Sequence, residues 1–95
     1  MPSFRLSNEA SEDLIRIHHY GMQRFGEDQA DKYLSDLFKC FGEIAERPFS
    51  FSSVEYIKAG YRRAVCGSDS IYFTVNNNIV EVMAVVGRQD LENLL

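Results

Sequence analysis

The pattern of apolar and polar positions changes period along the chain. Phe4-Arg5-Leu6 alternates, which predicts a short first strand. Ser7 or Asn8 is placed to cap a helix, with Glu9 at its electropositive first turn. Ala10, Leu14, Ile17, Gly21 and Phe25 then recur at helical spacing and predict a helix to about Phe25, stopped by Gly26. A second helix begins with Glu27 and Asp28. Its apolar stripe is Ala30, Tyr33, Leu34, Leu37, Phe38, Phe41, Ile44 and Ala45, and Pro48 ends it near Arg47. So short a link predicts an antiparallel helical hairpin.

After a loop from Phe49 to Ala59, the period falls to two. Tyr61–Cys66, Ser70–Val75 and Ile79–Val86 read as strands, with turns at Gly67-Ser68 and Asn76-Asn77-Asn78. On the last strand Val80, Val82, Ala84 and Val86 are expected to share the face that receives the hairpin, leaving Glu81, Met83 and Val85 on the other. Asp90 to Leu95 is expected to add one helical turn. The fold class is therefore α+β: strand, two-helix antiparallel hairpin, then a three-stranded antiparallel meander, in two layers. Residues 1–95 read as a single domain.

Composition adds limits. The chain is 45% hydrophobic and 25% charged, which suits a folded domain rather than a disordered segment. There is no apolar run long enough for a membrane span and no secretory pattern at the N-terminus, so a cytoplasmic location is expected. Cys40 and Cys66 lie far apart in sequence. They are expected to be reduced, buried, small apolar side chains rather than a disulfide. The net charge of −4 argues against a bulk electrostatic grip on nucleic acid. Lys58, Arg62 and Arg63 nevertheless form a basic island, which Arg88 can join in space.

No catalytic, cofactor-binding or metal-binding constellation emerges. His18 and His19 are adjacent on a helix and point about 100° apart, so they cannot serve one metal from one face. Phosphate-binding loops and nucleophile elbows are absent. Glu9, Glu12 and Asp13 are explained by helix polarity. Arg62 and Arg63, as strand neighbours, face opposite sides of the sheet. The one on the helix side needs acceptors: an acid such as Glu81 or Asp90, or a partner.

Several segments together resemble one family. Leu6-Ser7-x-Glu9-Ala10-x-x-Asp13-Leu14, Phe25-Gly26-x-x-Gln29-Ala30-x-x-Tyr33-Leu34, Gly60-Tyr61-Arg62-Arg63, Ile71-Tyr72-Phe73 and Gly87-Arg88-Gln89-Asp90-Leu91 resemble, in order, the motifs of ParE toxins in the ParE/RelE superfamily. The resemblance implies a toxin of a type II toxin–antitoxin pair that inhibits DNA gyrase, and so DNA replication, without catalysis. It also implies neutralisation by a ParD-type antitoxin, with DNA met only through antitoxin or gyrase. Asp69 and Val86 stand where many relatives carry histidine, so no histidine-assisted role exists at either place.

On this reading Arg62, Arg63 and Arg88 are candidate contacts to the target, with Lys58, Leu91 and Leu94 beside them. Arginine suits that role because its planar fork binds carboxylate or phosphate bidentately. Arg62, Tyr72, Phe73, Met83 and Val85 are candidate contacts to the antitoxin. The alternative is a RelE-like toxin that cuts messenger RNA on the ribosome, or an inactive or retargeted relative. Ribosome-dependent cleavage is disfavoured because the chain is acidic and offers only Arg62, Arg63, Arg88 and Tyr72 on the sheet.

Overall fold

The computed structural model describes residues 3–87. Arg88, Leu91, Leu94 and the expected C-terminal helical turn lie outside the described residues. Strand β1 (Ser3–Leu6) leads into helices α1 (Asn8–Phe25) and α2 (Glu27–Glu46). A 3₁₀ turn (Pro48–Ser50) and four strands follow: β2 (Ser52–Ser53), β3 (Arg62–Cys66), β4 (Asp69–Asn76) and β5 (Ile79–Gly87). The strands form one sheet in the order β1-β5-β4-β3-β2, with β1 parallel to β5 and the other pairs antiparallel. The helical hairpin covers one face. This is the expected α+β architecture, with one addition. The stretch read as a loop contains β2, which pairs Ser52 with Arg63 and Ser53 with Arg62.

Local chemistry sets the element ends. The Ser7 hydroxyl accepts from the Ala10 amide at 3.0 Å and caps α1. Gly26 alone separates the helices at φ 91°, a left-handed conformation that a side chain would strain. The α2 ladder stops before Pro48, which has no amide hydrogen to extend it.

The core is built from α1 (Ala10, Leu14, Ile17), α2 (Leu37, Phe41, Ile44, Ala45) and the inward positions of the sheet (Ala64, Ile71, Phe73, Val80, Val82, Val85). Phe4, Phe38 and Phe41 form an aromatic group with centroids 5.4–6.3 Å apart. Two stripe residues depart from expectation: Phe25, at the last position of α1, is 64% exposed, and Phe38 is 41% exposed.

The last strand differs from simple alternation. Phe73 pairs with Val82, but Tyr72 pairs with Ala84, so Met83 is an extra residue, a β-bulge. The bulge reverses the facing of everything after it. Val80 and Val82 point into the core as expected, but Val85 does so in place of Ala84 and Val86. Side chains from the start of α1 serve the bulge. The Ser7 hydroxyl donates to the Met83 carbonyl at 3.0 Å, and the Val85 amide donates to Asp13 Oδ2 at 2.9 Å. Asp13 thus fastens the helix to the sheet, a role that helix polarity does not describe.

A second correction concerns the cysteines. Cys40 and Cys66 are joined by a disulfide, with Cα atoms 6.5 Å apart and a sequence separation of 26. Sequence distance misleads here because the chain folds α2 back across the end of β3.

Candidate partner-binding surfaces

The register places each candidate residue. Arg63, Tyr72 and Ala84 lie side by side across β3, β4 and β5, on the face that the helices leave open. Val65 and Val86 flank Ser70 in the next row, and Val65 is 68% exposed. Arg63 is exposed and its Nε donates to Ser70 Oγ at 3.2 Å. Tyr72 is half-buried, and Met83 is partly exposed on the bulge. Arg63, Tyr72 and Met83 therefore remain available to a partner.

The other candidates are placed differently. Phe73 and Val85 are fully buried beneath the hairpin, so they offer no free surface for an antitoxin. Arg62 lies on the helix side at the start of β3. Its partner is not an acid: Nη1 donates to the Phe51 carbonyl at 2.8 Å, and the guanidinium lies 5.0 Å from the Phe49 ring centroid. Glu81 instead pairs with Arg5 at 3.3 Å. Lys58 sits 5.5 Å from the Tyr61 ring centroid in the turn after β2.

The helical hairpin carries a surface that the sequence reading passed over. A groove of about 440 Å³ runs over α1 and α2, walled by Leu6, Leu14, Ile15, Met22, Leu34 and Phe38, with His18 and His19 along it. Ile15, Met22 and Phe38 stay 70%, 43% and 41% exposed. A signal was present: Ile15 and Met22 are seven residues apart, with His18 and His19 between, so α1 has an apolar stripe beside its core stripe. His18 Nε2 also meets Asp31 Oδ1 of α2 at 2.7 Å and ties the two helices together.

At the tip of the hairpin a second cleft, about 520 Å³, opens between the helices and the β3–β4 turn. Arg24 lies 5.4 Å from the Tyr20 ring centroid at its mouth. In its wall the Tyr33 hydroxyl donates to Asp69, which is 3% exposed, and accepts from the Ser68 amide at 3.2 Å. Burial first, then the hydrogen bond to Asp69 and its charge, push the Tyr33 phenol up to about 12. Gly67 makes this possible: its φ is +60°, and a Cβ there would stand 3.1 Å from the Tyr33 hydroxyl.

Among the described residues there is no group of three His, Cys, Asp or Glu that could hold a metal ion, and no helix is long and apolar enough to cross a membrane.

Three comparisons bear on the family. The family described as "ParE toxin of type II toxin-antitoxin system, parDE" matches residues 4–92. The chain is 37% identical over 86 residues to "Toxin ParE1" of Caulobacter vibrioides, covering 90% of this chain and 88% of that one. It is 29% identical over 94 residues to "Toxin ParE1" of Mycobacterium tuberculosis, covering 97% and 96%. Among solved structures, "Chromosomal ParDE TA system from P. aeruginosa" has the same fold, with a TM-score of 0.80 at 17% identity, covering 92% of this chain and 96% of that one. The motif order, the two-layer fold and the family match over nearly the whole chain converge: the chain belongs to the ParE toxin family of type II toxin–antitoxin systems.

Proposed function

We propose that this toxin acts by docking rather than by catalysis, that its target is DNA gyrase, and that a ParD-type antitoxin neutralises it in the cytoplasm. The observation that carries the reading is the apolar groove on the hairpin, where Ile15, Met22 and Phe38 stay exposed although neighbouring positions on both helices are buried. Large apolar side chains grouped on one face mark a place where another chain sits. An amphipathic helix fits such a groove through anchors at i, i+3 or i+4, and i+7. A disordered antitoxin tail that folds on contact can fill it and continue toward the sheet.

The open sheet face supports a separate contact with the target. Arg63 presents a charged fork beside the Tyr72 ring, and arginine and tyrosine are among the side chains that dominate binding energy at protein interfaces; exposed Val65 adds apolar surface next to them. The titratable groups Asp13, Asp69, Glu81 and His18 all hold the fold together, which supports docking over acid–base chemistry. With a net charge of −4, attraction to the nucleic-acid backbone does not drive the encounter, so DNA is met through gyrase or antitoxin.

The test combines three assays on the full chain: gyrase supercoiling, gyrase-linked DNA cleavage, and cleavage of ribosome-bound messenger RNA. Inhibited supercoiling with intact messenger RNA, reversed by the small protein encoded beside the toxin, is the expected result. Messenger RNA cleavage with unaffected gyrase would overturn the proposal in favour of a RelE-like activity. A complex with the antitoxin should bury about 1,000 Å² or more in total.

A further inference from the structure

Cys40 and Cys66 are the two cysteines of the chain, and they are bonded to each other across its two layers. Three features of their setting belong together. The pair is asymmetric: Cys40 on α2 is half-buried, whereas Cys66, the last residue of β3, is 9% exposed and counts with the core. The bridge also lies toward the uncovered end of the sheet edge, because β2 pairs with Arg62 and Arg63 and does not extend along β3 to Cys66. Finally, the elements it joins are held by other means. Leu37, Phe41, Ile44 and Ala45 bury α2 against the sheet. Tyr33, seven residues before Cys40 and so on the same side of α2, bonds to Ser68 and Asp69 just beyond Cys66. Breaking the bridge therefore leaves the layers packed, and a bridge that opens within a folded domain can exchange.

We propose that Cys40 and Cys66 form a reversible thiol–disulfide exchange site, oxidised by low-molecular-weight disulfides, whose state sets how firmly α2 is held to β3. In the oxidising direction the Cys40 thiolate, the more accessible sulfur, attacks one sulfur of the small disulfide RSSR. A Cys40–SR mixed disulfide forms and one RS⁻ leaves. Cys66 then gives up its proton to solvent, attacks Cys40 Sγ and expels the second RS⁻. Two protein thiols become one disulfide, and one RSSR is reduced to two RSH. Reduction runs the same steps backward, with the external thiolate entering at Cys40. A reachable disulfide in a reducing compartment is more often redox-responsive than permanent. The biological consequence rests on the toxin reading: oxidised toxin outlasts reduced toxin when no antitoxin protects it.

The experiment equilibrates the full chain in buffers of rising oxidised-to-reduced glutathione ratio, quenches with acid, alkylates free thiols and reads the oxidised fraction by intact mass. Circular dichroism on the same samples reports the fold. The expected result is one reversible transition with secondary structure retained in both states, and a melting temperature on the order of 10–20 °C lower for the reduced form. Cys66→Ser should take up one glutathionyl group at Cys40, and Cys40→Ser should react at least about tenfold more slowly at the covered Cys66. A bridge that yields to thiol only after denaturation is a permanent structural link, and that result overturns the proposal. So do thiols that never join across the range, or equal reactivity of the two variants. If a serine variant fails to fold, the wild-type titration still decides. No step reads toxicity, so this proposal and the functional reading can fail separately.

Discussion

Replacing Tyr33 with phenylalanine removes one oxygen atom from the contact between α2 and the β3–β4 turn. That hydroxyl donates to the buried carboxylate of Asp69 and accepts from the Ser68 amide. A hydrogen bond to a charged group contributes about 1.5–3 kcal/mol. Asp69 has further interactions, and the exposed Ser68 amide can turn to water, so the lower part of that range applies, about 2 kcal/mol. For a domain of this size that is a fall in Tm of roughly 8–16 °C. The pH dependence gives the sharper test. In the folded protein the Tyr33 phenol is raised from 10.0 to about 12, so the unfolded chain loses that proton first as pH rises. The contribution is fully present below about pH 10 and is lost on the way to about pH 12. Solvent still reaches the ring, and after discounting for screening the loss over this window is about 1–2 kcal/mol. Urea denaturation of wild type and Tyr33→Phe at closely spaced pH values measures it. The stability difference should be constant below pH 10 and shrink above it. A variant within about 0.5 kcal/mol of wild type at pH 7, or a difference that stays constant to pH 11.5, would refute the reasoning.

Three further outcomes are expected. Asp13→Ala leaves the buried Val85 amide without its acceptor and should cost about 1–3 kcal/mol in urea denaturation, while Asp13→Asn, which keeps an acceptor oxygen, should recover most of that. Phe41→Ala opens a cavity where α2 meets β1 and should cost about 3–5 kcal/mol, a large part of the stability of a domain this small. Met22→Glu places a charge in the apolar groove at an exposed position; calorimetry should show antitoxin binding at least tenfold weaker, with thermal stability changed by less than about 0.5 kcal/mol.

Periodicity made the helices legible because their stripes are long and their ends carry strong signals: Ser7, Gly26 and Pro48. Four of the five strands were legible in chain order for the same reason, whereas β2, only two residues long, is too short to show a period. The facing of β5 was not. Alternation assumes one residue per partner, and nothing in Ile79–Gly87 announces that Met83 will stand outside the ladder. The bulge is specified elsewhere in the chain, by a serine and an aspartate that precede it by some seventy residues. The disulfide was missed for a related reason: the 26-residue separation of Cys40 and Cys66 says nothing of their contact until the hairpin is docked on the sheet. The burial of Phe73 and Val85 is not legible in the sequence because it depends on that docking and that bulge. Alternation leaves open whether the helix-side arginine of β3 meets an acid or a partner; in the fold Arg62 takes a carbonyl oxygen and a ring face instead.

The residues that carry the family likeness and the residues that remain free for partners are largely different sets. Ser7 caps α1 and reaches the bulge, Asp13 holds Val85, Gly26 turns the hairpin, and Tyr33 anchors the β3–β4 turn. Each solves a problem that the backbone poses: a helix start, an irregular ladder, a one-residue link, a buried carboxylate. A chain keeping these solutions keeps the fold whatever it binds. The available surface is instead supplied chiefly by Ile15, Met22 and Phe38 on the hairpin and by Arg63, Val65 and Tyr72 on the sheet. Of these six, Arg63 and Tyr72 fall within the motif segments, and their side chains point away from the core. On the proposed docking reading, partner choice is written mostly in exposed positions outside the motifs, where a substitution such as one at Ile15 or Met22 alters recognition without loosening the domain. Exchanging Ile15 and Met22, the exposed apolar side chains of the groove that lie outside the motifs, between two members of the family should move antitoxin preference with them and leave the urea midpoint in place.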